Sequence, residues 1–107
     1  MKREAKKHPQ ALEDLYCQGR YYTEAGSPEI AVRFLAAAER AFAQLVSMPE
    51  MGARRTFRNA RLAGLRLWRI RGFREHLIFC RPIKEGIEVV RVLHAKRDLA
   101  GIFDDET

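Results

Sequence analysis

At 107 residues, with 20 Lys and Arg against 14 Asp and Glu, the chain has a net charge of +6 and 47% hydrophobic residues. That length supports one compact core and not two, and the mixture of apolar and charged residues excludes a disordered chain. No apolar run reaches the roughly 20 residues that span a bilayer.

The basic segment Met1-Lys2-Arg3-Glu4-Ala5-Lys6-Lys7-His8 has no apolar stretch behind it, so it does not read as a secretory leader. The expected setting is the cytoplasm. The two cysteines, Cys17 and Cys80, lack the short paired spacings of a metal site and read as two buried thiols in a reducing compartment. No cofactor is implied. The basic excess favours an anionic partner, either nucleic acid or acidic protein, without choosing between them.

Residues 2–8 suit an edge strand, where Lys and Arg discourage unwanted pairing. Pro9 stops that strand and opens a helix. Leu12, Leu15, Tyr16, Gly19 and Tyr22 form its apolar stripe, Glu13 and Asp14 lie near its positive end, and Gly26 ends it. A second helix follows with Ser27 as N-cap, Pro28 in the first turn and Glu29 behind it. Its core stripe is Ala31, Leu35, Ala38, Phe42 and Leu45, and Met48-Pro49 closes it. The short connection predicts an antiparallel helical hairpin, with alanines at 36, 37, 38, 41 and 43 admitting close packing. Residues 49–64 form an arginine-rich connection.

Leu65 to Ile70 reads as a strand carrying Trp68, either a core residue or an interface anchor. A turn at Arg71-Gly72 leads into a hairpin over 76–94. A three-residue connection Lys84-Glu85-Gly86 places Ile83 opposite Ile87, Arg81 opposite Val89 and Phe79 opposite Arg91. One face then carries Ile78, Cys80, Val90 and Val92, and the other carries Leu77, Phe79, Arg81, Val89, Arg91 and Leu93. Two arginines on an apolar face cannot be buried unpaired. That face is open to a groove, covered by something acidic, or neutralised within the chain by Glu75, Glu85 or Glu88. A two-residue turn would instead put Arg81 and Arg91 on opposite faces.

Lys96 to Phe103 suits a short terminal helix, and Asp104-Asp105-Glu106-Thr107 an acidic, frayed tail. The predicted fold is a single α+β domain over 1–107. An N-terminal edge strand and an antiparallel helical hairpin pack on a small antiparallel sheet, in the order β-α-α-β-β-β-α.

Several motifs, in order, resemble the ParE toxins of the RelE/ParE superfamily of type II toxin–antitoxin modules. They are Ser47-Met48-Pro49-Glu50-Met51-Gly52, Phe57-Arg58-Asn59, Gly72-Phe73-Arg74, Leu77-Ile78-Phe79-Cys80-Arg81-Pro82, Gly86-Ile87-Glu88 and Arg91-Val92-Leu93-His94-Ala95-Lys96-Arg97-Asp98-Leu99. The sequence departs from the family where Cys80 replaces a common Tyr and where residues 2–8 are less apolar. The resemblance implies a toxin neutralised by a cognate ParD-type antitoxin and directed at DNA gyrase. The RelE branch of the same fold cleaves mRNA on the ribosome.

Nuclease chemistry needs a basic phosphate site and a group that moves protons. The RelE branch commonly supplies a Tyr or a His–Tyr pair near the last strand's end. Here that region is His94-Ala95-Lys96-Arg97-Asp98-Leu99, while Tyr16, Tyr21 and Tyr22 all lie on the first helix. A non-enzymatic toxin acting by protein contact is therefore expected. A RelE-like ribonuclease and an antitoxin-binding member without a target are the alternatives. The expected antitoxin surface is Leu77, Phe79, Arg81, Arg91, Leu93 and Trp68, met by an acidic-apolar segment that folds on binding. His94, Lys96 and Arg97 are candidates for target contact or phosphate binding.

Overall fold

A computed structural model describes residues 3–54 and 63–98. The elements are β1 (Glu4–Lys7), α1 (Pro9–Ala25), α2 (Pro28–Ser47), β2 (Ala53–Arg54), β3 (Arg66–Ile70), β4 (Phe73–Ile83) and β5 (Gly86–His94). They form one sheet in the order β1-β5-β4-β3-β2, with the helical hairpin across one face. The α+β class and the helical hairpin are those the sequence predicts. The sheet gains β2, which at two residues is too short to leave a periodic signal.

β1 pairs parallel to β5, while the other strands pair antiparallel. The hairpin carries the chain across the sheet from the β1 edge to the β2 edge, so β1 must wait for the last strand as its neighbour. Residues 95–98 form turns. The expected terminal helix and acidic tail fall mainly on 99–107, and Arg55, Arg58 and Arg61 of the basic connection on 55–62; both segments lie outside the described residues.

α2 begins as its sequence requires. The Ser27 hydroxyl accepts from the Ile30 N–H at 3.4 Å, Pro28 opens the first turn, and Glu29 lies in it. Its buried face is Ala31, Phe34, Ala37, Ala38, Ala41, Phe42 and Leu45. Leu35, expected in that stripe, is exposed and flanks Gly19 of α1. On α1 the stripe is rotated by about one position from the expected one. Ala11, Leu15, Gln18 and Gly19 are buried, whereas Leu12 and Tyr16 are 52% and 66% exposed. Both sets obey helical spacing. The small side chain of Ala11 fits the crowded layer beneath the helix, where a leucine or tyrosine would not. Glu13 and Asp14 lie beyond the first turn, and Asp14 serves the sheet instead.

The main core joins these helix faces to Ile70, Ile78, Cys80, Ile87, Val89 and Val92. A second buried layer on the other sheet face contains Leu65, Leu67, Leu77, Phe79 and Leu93. Cys80 belongs to the core, and burial raises its thiol pKa to about 11. Cys17, expected to be buried, is exposed.

The β4–β5 hairpin corrects the expected register. Its turn has two residues, Lys84 and Glu85, so Ile83 faces Gly86 and Arg81 faces Glu88. A bulge at Val90 then restores the predicted pairing of Phe79 with Arg91. Gly86 is not the loop residue of a longer turn. It has φ +137, and a Cβ there would strike the Glu4 carbonyl of β1, whose N–H donates to Glu85 O at 2.8 Å. Glycine is required where β1 docks on the start of β5.

Candidate partner-binding surface

Leu77, Phe79 and Leu93 are 2%, 0% and 3% exposed, so the expected partner face is not an open groove at these positions. The two arginines expected in that face are partly exposed and are paired within the chain. Arg81 stands on the Phe79 side of β4 and donates through Nε to Glu88 at 2.7 Å. The other Glu88 oxygen lies 2.6 Å from Nε2 of His8, just after β1. The hydrogen bond from His8, followed by that from Arg81, holds the Glu88 carboxyl below its ordinary pKa. The cross-strand pairing of Arg81 with Glu88 follows from the shorter turn; the longer one would have put Val89 there.

Arg91 is paired as well, with a residue the sequence did not suggest. Its guanidinium makes a two-pronged contact with Asp14 of α1, at 2.8 and 3.0 Å. Asp14 also accepts from the Val92 N–H at 2.9 Å. β1 covers β5 only as far as Val89, so the carboxylate takes up an edge amide that lacks a strand partner. The hydrogen bond to Asp14 raises the Arg91 pKa despite partial burial.

At the end of β5 the three candidate target-contact residues share one turn. His94 Nδ1 accepts from the N–H groups of Lys96 and Arg97 at 3.1 and 3.2 Å, while the His94 N–H donates to Asp98 at 2.7 Å. The ring is thereby held neutral, and burial lowers its pKa. Arg97 donates to Gln18 at 2.8 Å, and its guanidinium lies 4.3 Å from the Tyr21 ring centroid. Lys96 extends into solvent near Glu75. These contacts define an ordered basic rim anchored to α1.

The sequence reading missed a His–Tyr pair. His76 of β4 is fully buried, and its Nε2 lies 2.7 Å from the Tyr22 hydroxyl. The His94 ring packs edge-on at 5.0 Å. Burial first, then the nearby His94, lowers the His76 pKa to about 4. Enclosed among Phe34, Phe73 and Tyr22, it is unsuited to proton transfer with an external substrate. The register of His76 opposite His94 is the signal that could have located it.

Trp68 is not brought to the Leu77–Phe79 layer. It stands opposite Ile78 on the helix side of the sheet and packs on the main core. Among the described residues, no group of three or more His, Cys, Asp or Glu could hold a metal ion, and no helix is long and apolar enough to cross a membrane. What this surface exposes is guanidinium and ammonium groups, those of Arg81 and Arg91 already paired within the chain, with the apolar layer buried.

The family model for the ParE toxin of type II toxin–antitoxin system, parDE, matches residues 6–99. A search of curated proteins finds no match. Among solved structures, the chain is similar to one from the chromosomal ParDE TA system of P. aeruginosa. The identity is 18% and the TM-score 0.72, covering 88% of this chain and 97% of that one. At that identity the likeness establishes the fold.

Proposed function

The chain belongs to the ParE toxin family of type II toxin–antitoxin systems, and from that premise we propose that it acts by protein–protein contact in the cytoplasm. DNA gyrase is its target, and a cognate ParD-type antitoxin neutralises it. The family match across residues 6–99 carries this reading. The arrangement of ionisable groups supports contact over catalysis. His76 is sealed within the core, and His94 spends Nδ1 on two backbone amides.

The antitoxin supplies an acidic-apolar segment to Arg81 and Arg91. Its carboxylates compete with Glu88 and Asp14 for the two guanidinium groups, while Leu77, Phe79 and Leu93, buried beneath, support the surface without touching the segment. Trp68, packed on the main core at the opposite face of the sheet, is not part of this surface. His94, Lys96 and Arg97 form the rim offered to the target. Replacing Arg81 and Arg91 together by alanine is expected to weaken antitoxin binding; unchanged affinity removes this site.

The activity test uses purified protein in two assays, gyrase supercoiling and translation-coupled mRNA cleavage. Inhibited supercoiling with intact message supports the gyrase reading. Cleaved message with unaffected gyrase selects a RelE-like ribonuclease instead. Inactivity in both, with antitoxin binding retained, selects a family member without a target.

A further inference from the structure

Between α2 and the β3 edge lies a cleft of about 700 Å³. Four arginines line it: Arg40 of α2, Arg69 of β3, Arg71 of the β3–β4 turn and Arg74 of β4. Arg69 donates to the Arg74 carbonyl at 2.8 Å. Arg40, Arg71 and Arg74 have no anionic partner, and no acidic side chain lines the cleft, among the described residues. Elsewhere Arg81 and Arg91 are both neutralised within the chain. The cleft thus gathers like charge that an anion would relieve.

Two further features define that anion. The cleft is floored by Ala37 and Ala41 and includes Trp68, so it has apolar surface between its cations. The pairing of β2 with β3 also stops at Leu67. Trp68, Arg69 and Ile70 therefore lack a strand neighbour on that edge among the described residues. An open strand edge is a template for another extended polypeptide. Phosphates of a nucleic acid would satisfy the arginines but would not match a strand edge.

We propose that this cleft binds an acidic polypeptide segment in extended form, added as a strand along Trp68–Ile70. Its carboxylates meet Arg40, Arg71 and Arg74, and an alternate apolar side chain packs on Ala37 and Ala41 beside Trp68. Alternation of acidic and apolar residues is what a strand needs to present one set to the arginines and the other to the floor. The inference rests on the chemistry of the cleft and not on the reading of the chain as a gyrase-directed toxin.

Trp68 is the sole tryptophan, so its emission reports directly on occupancy. The probe is a short peptide of alternating glutamate and valine, titrated into the intact protein at low salt. A saturable change in Trp68 emission is expected. It should be lost when the glutamates are replaced by glutamine, or when the amides on one peptide edge are N-methylated. Arg40→Glu and the double change R71E/R74E should each weaken binding by about tenfold, since each loses exposed ion pairs and adds repulsion. Circular dichroism checks that these exposed substitutions preserve the fold. No saturable change up to millimolar peptide overturns the proposal, as does equal binding of the N-methylated peptide or unchanged affinity in both variants. A response to single-stranded oligothymidylate with none to the peptide assigns the cleft to nucleic acid and likewise overturns it.

Discussion

The Tyr22 hydroxyl on α1 lies 2.7 Å from Nε2 of His76 on β4, joining the helical hairpin to the middle of the sheet inside the core. Nδ1 of the same imidazole is buried without a partner among the described residues. Such an arrangement is stable only while the ring is neutral, because protonation would bury a charge with no counter-ion beside it.

The pH dependence of stability follows in sign. Folded His76 has a pKa of about 4 against an ordinary value of 6.5, so the unfolded chain takes up its proton first on acidification. The contribution of the neutral ring is complete above pH 6.5 and is lost as the pH falls towards 4. It amounts to roughly 3 kcal/mol across that window. Urea unfolding from pH 7 to pH 4 should therefore show a shallower loss for His76→Gln than for the native chain. Equal slopes would mean that the imidazole does not titrate in this way. At neutral pH, Tyr22→Phe should cost roughly 1–3 kcal/mol by leaving Nε2 unpaired.

Asp14 satisfies both Arg91 and the Val92 amide. Asp14→Ala should lower stability by roughly 2–3 kcal/mol, since it strands a half-buried guanidinium and an edge N–H together. Asp14→Asn keeps one acceptor and should cost less. Amide exchange at Val92 distinguishes the two, being faster in the alanine variant. Unchanged exchange there would show that Asp14 does not hold this edge.

At Gly86, any side chain meets the Glu4 carbonyl while adopting a positive φ. Gly86→Ala should destabilise the domain by roughly 1–3 kcal/mol or release β1 from its site. Faster exchange of the Glu4 and His8 amides, which donate to Glu85 and Val89, would identify release. Native stability with native exchange at both would refute the close approach.

The two thiols should differ sharply. Cys17 is exposed, whereas Cys80 lies in the core with its pKa raised by burial. A disulfide reagent at neutral pH should modify one thiol rapidly in the folded protein and the second only after denaturation. Rapid modification of both would place Cys80 at the surface.

The helix boundaries, the hairpin of helices and the last strands were legible because Ser27, Pro28, Pro9 and the β-branched runs act locally. The rotation of α1 was not, since Leu12 and Ala11 fit helical spacing equally well and only packing against the sheet separates them. The β4–β5 register turned on one residue of loop length, and the bulge at Val90 has no local signature strong enough to place it. Most of the charged site was equally hidden. Glu88 was among the candidate partners for Arg81, but Asp14 reaches Arg91 across 77 positions of sequence. His76 and Tyr22 meet across 54. Such partners are fixed by tertiary closure, which neither composition nor spacing encodes.

The parallel pairing of β1 with β5 also governs when the domain can be completed during synthesis. The first strand emerges from the ribosome long before its neighbour, and its edge groups stay without their native partners until the hairpin beyond Gly86 has followed. The helices can pair early, but the sheet closes only through this distant contact, which slows folding relative to local pairing. A nascent chain cut short before residue 86 therefore lacks both the seat for β1 and the strand bearing Arg91 and His94. The surface proposed for partners comes into being only once β5 has been made and has paired with β1.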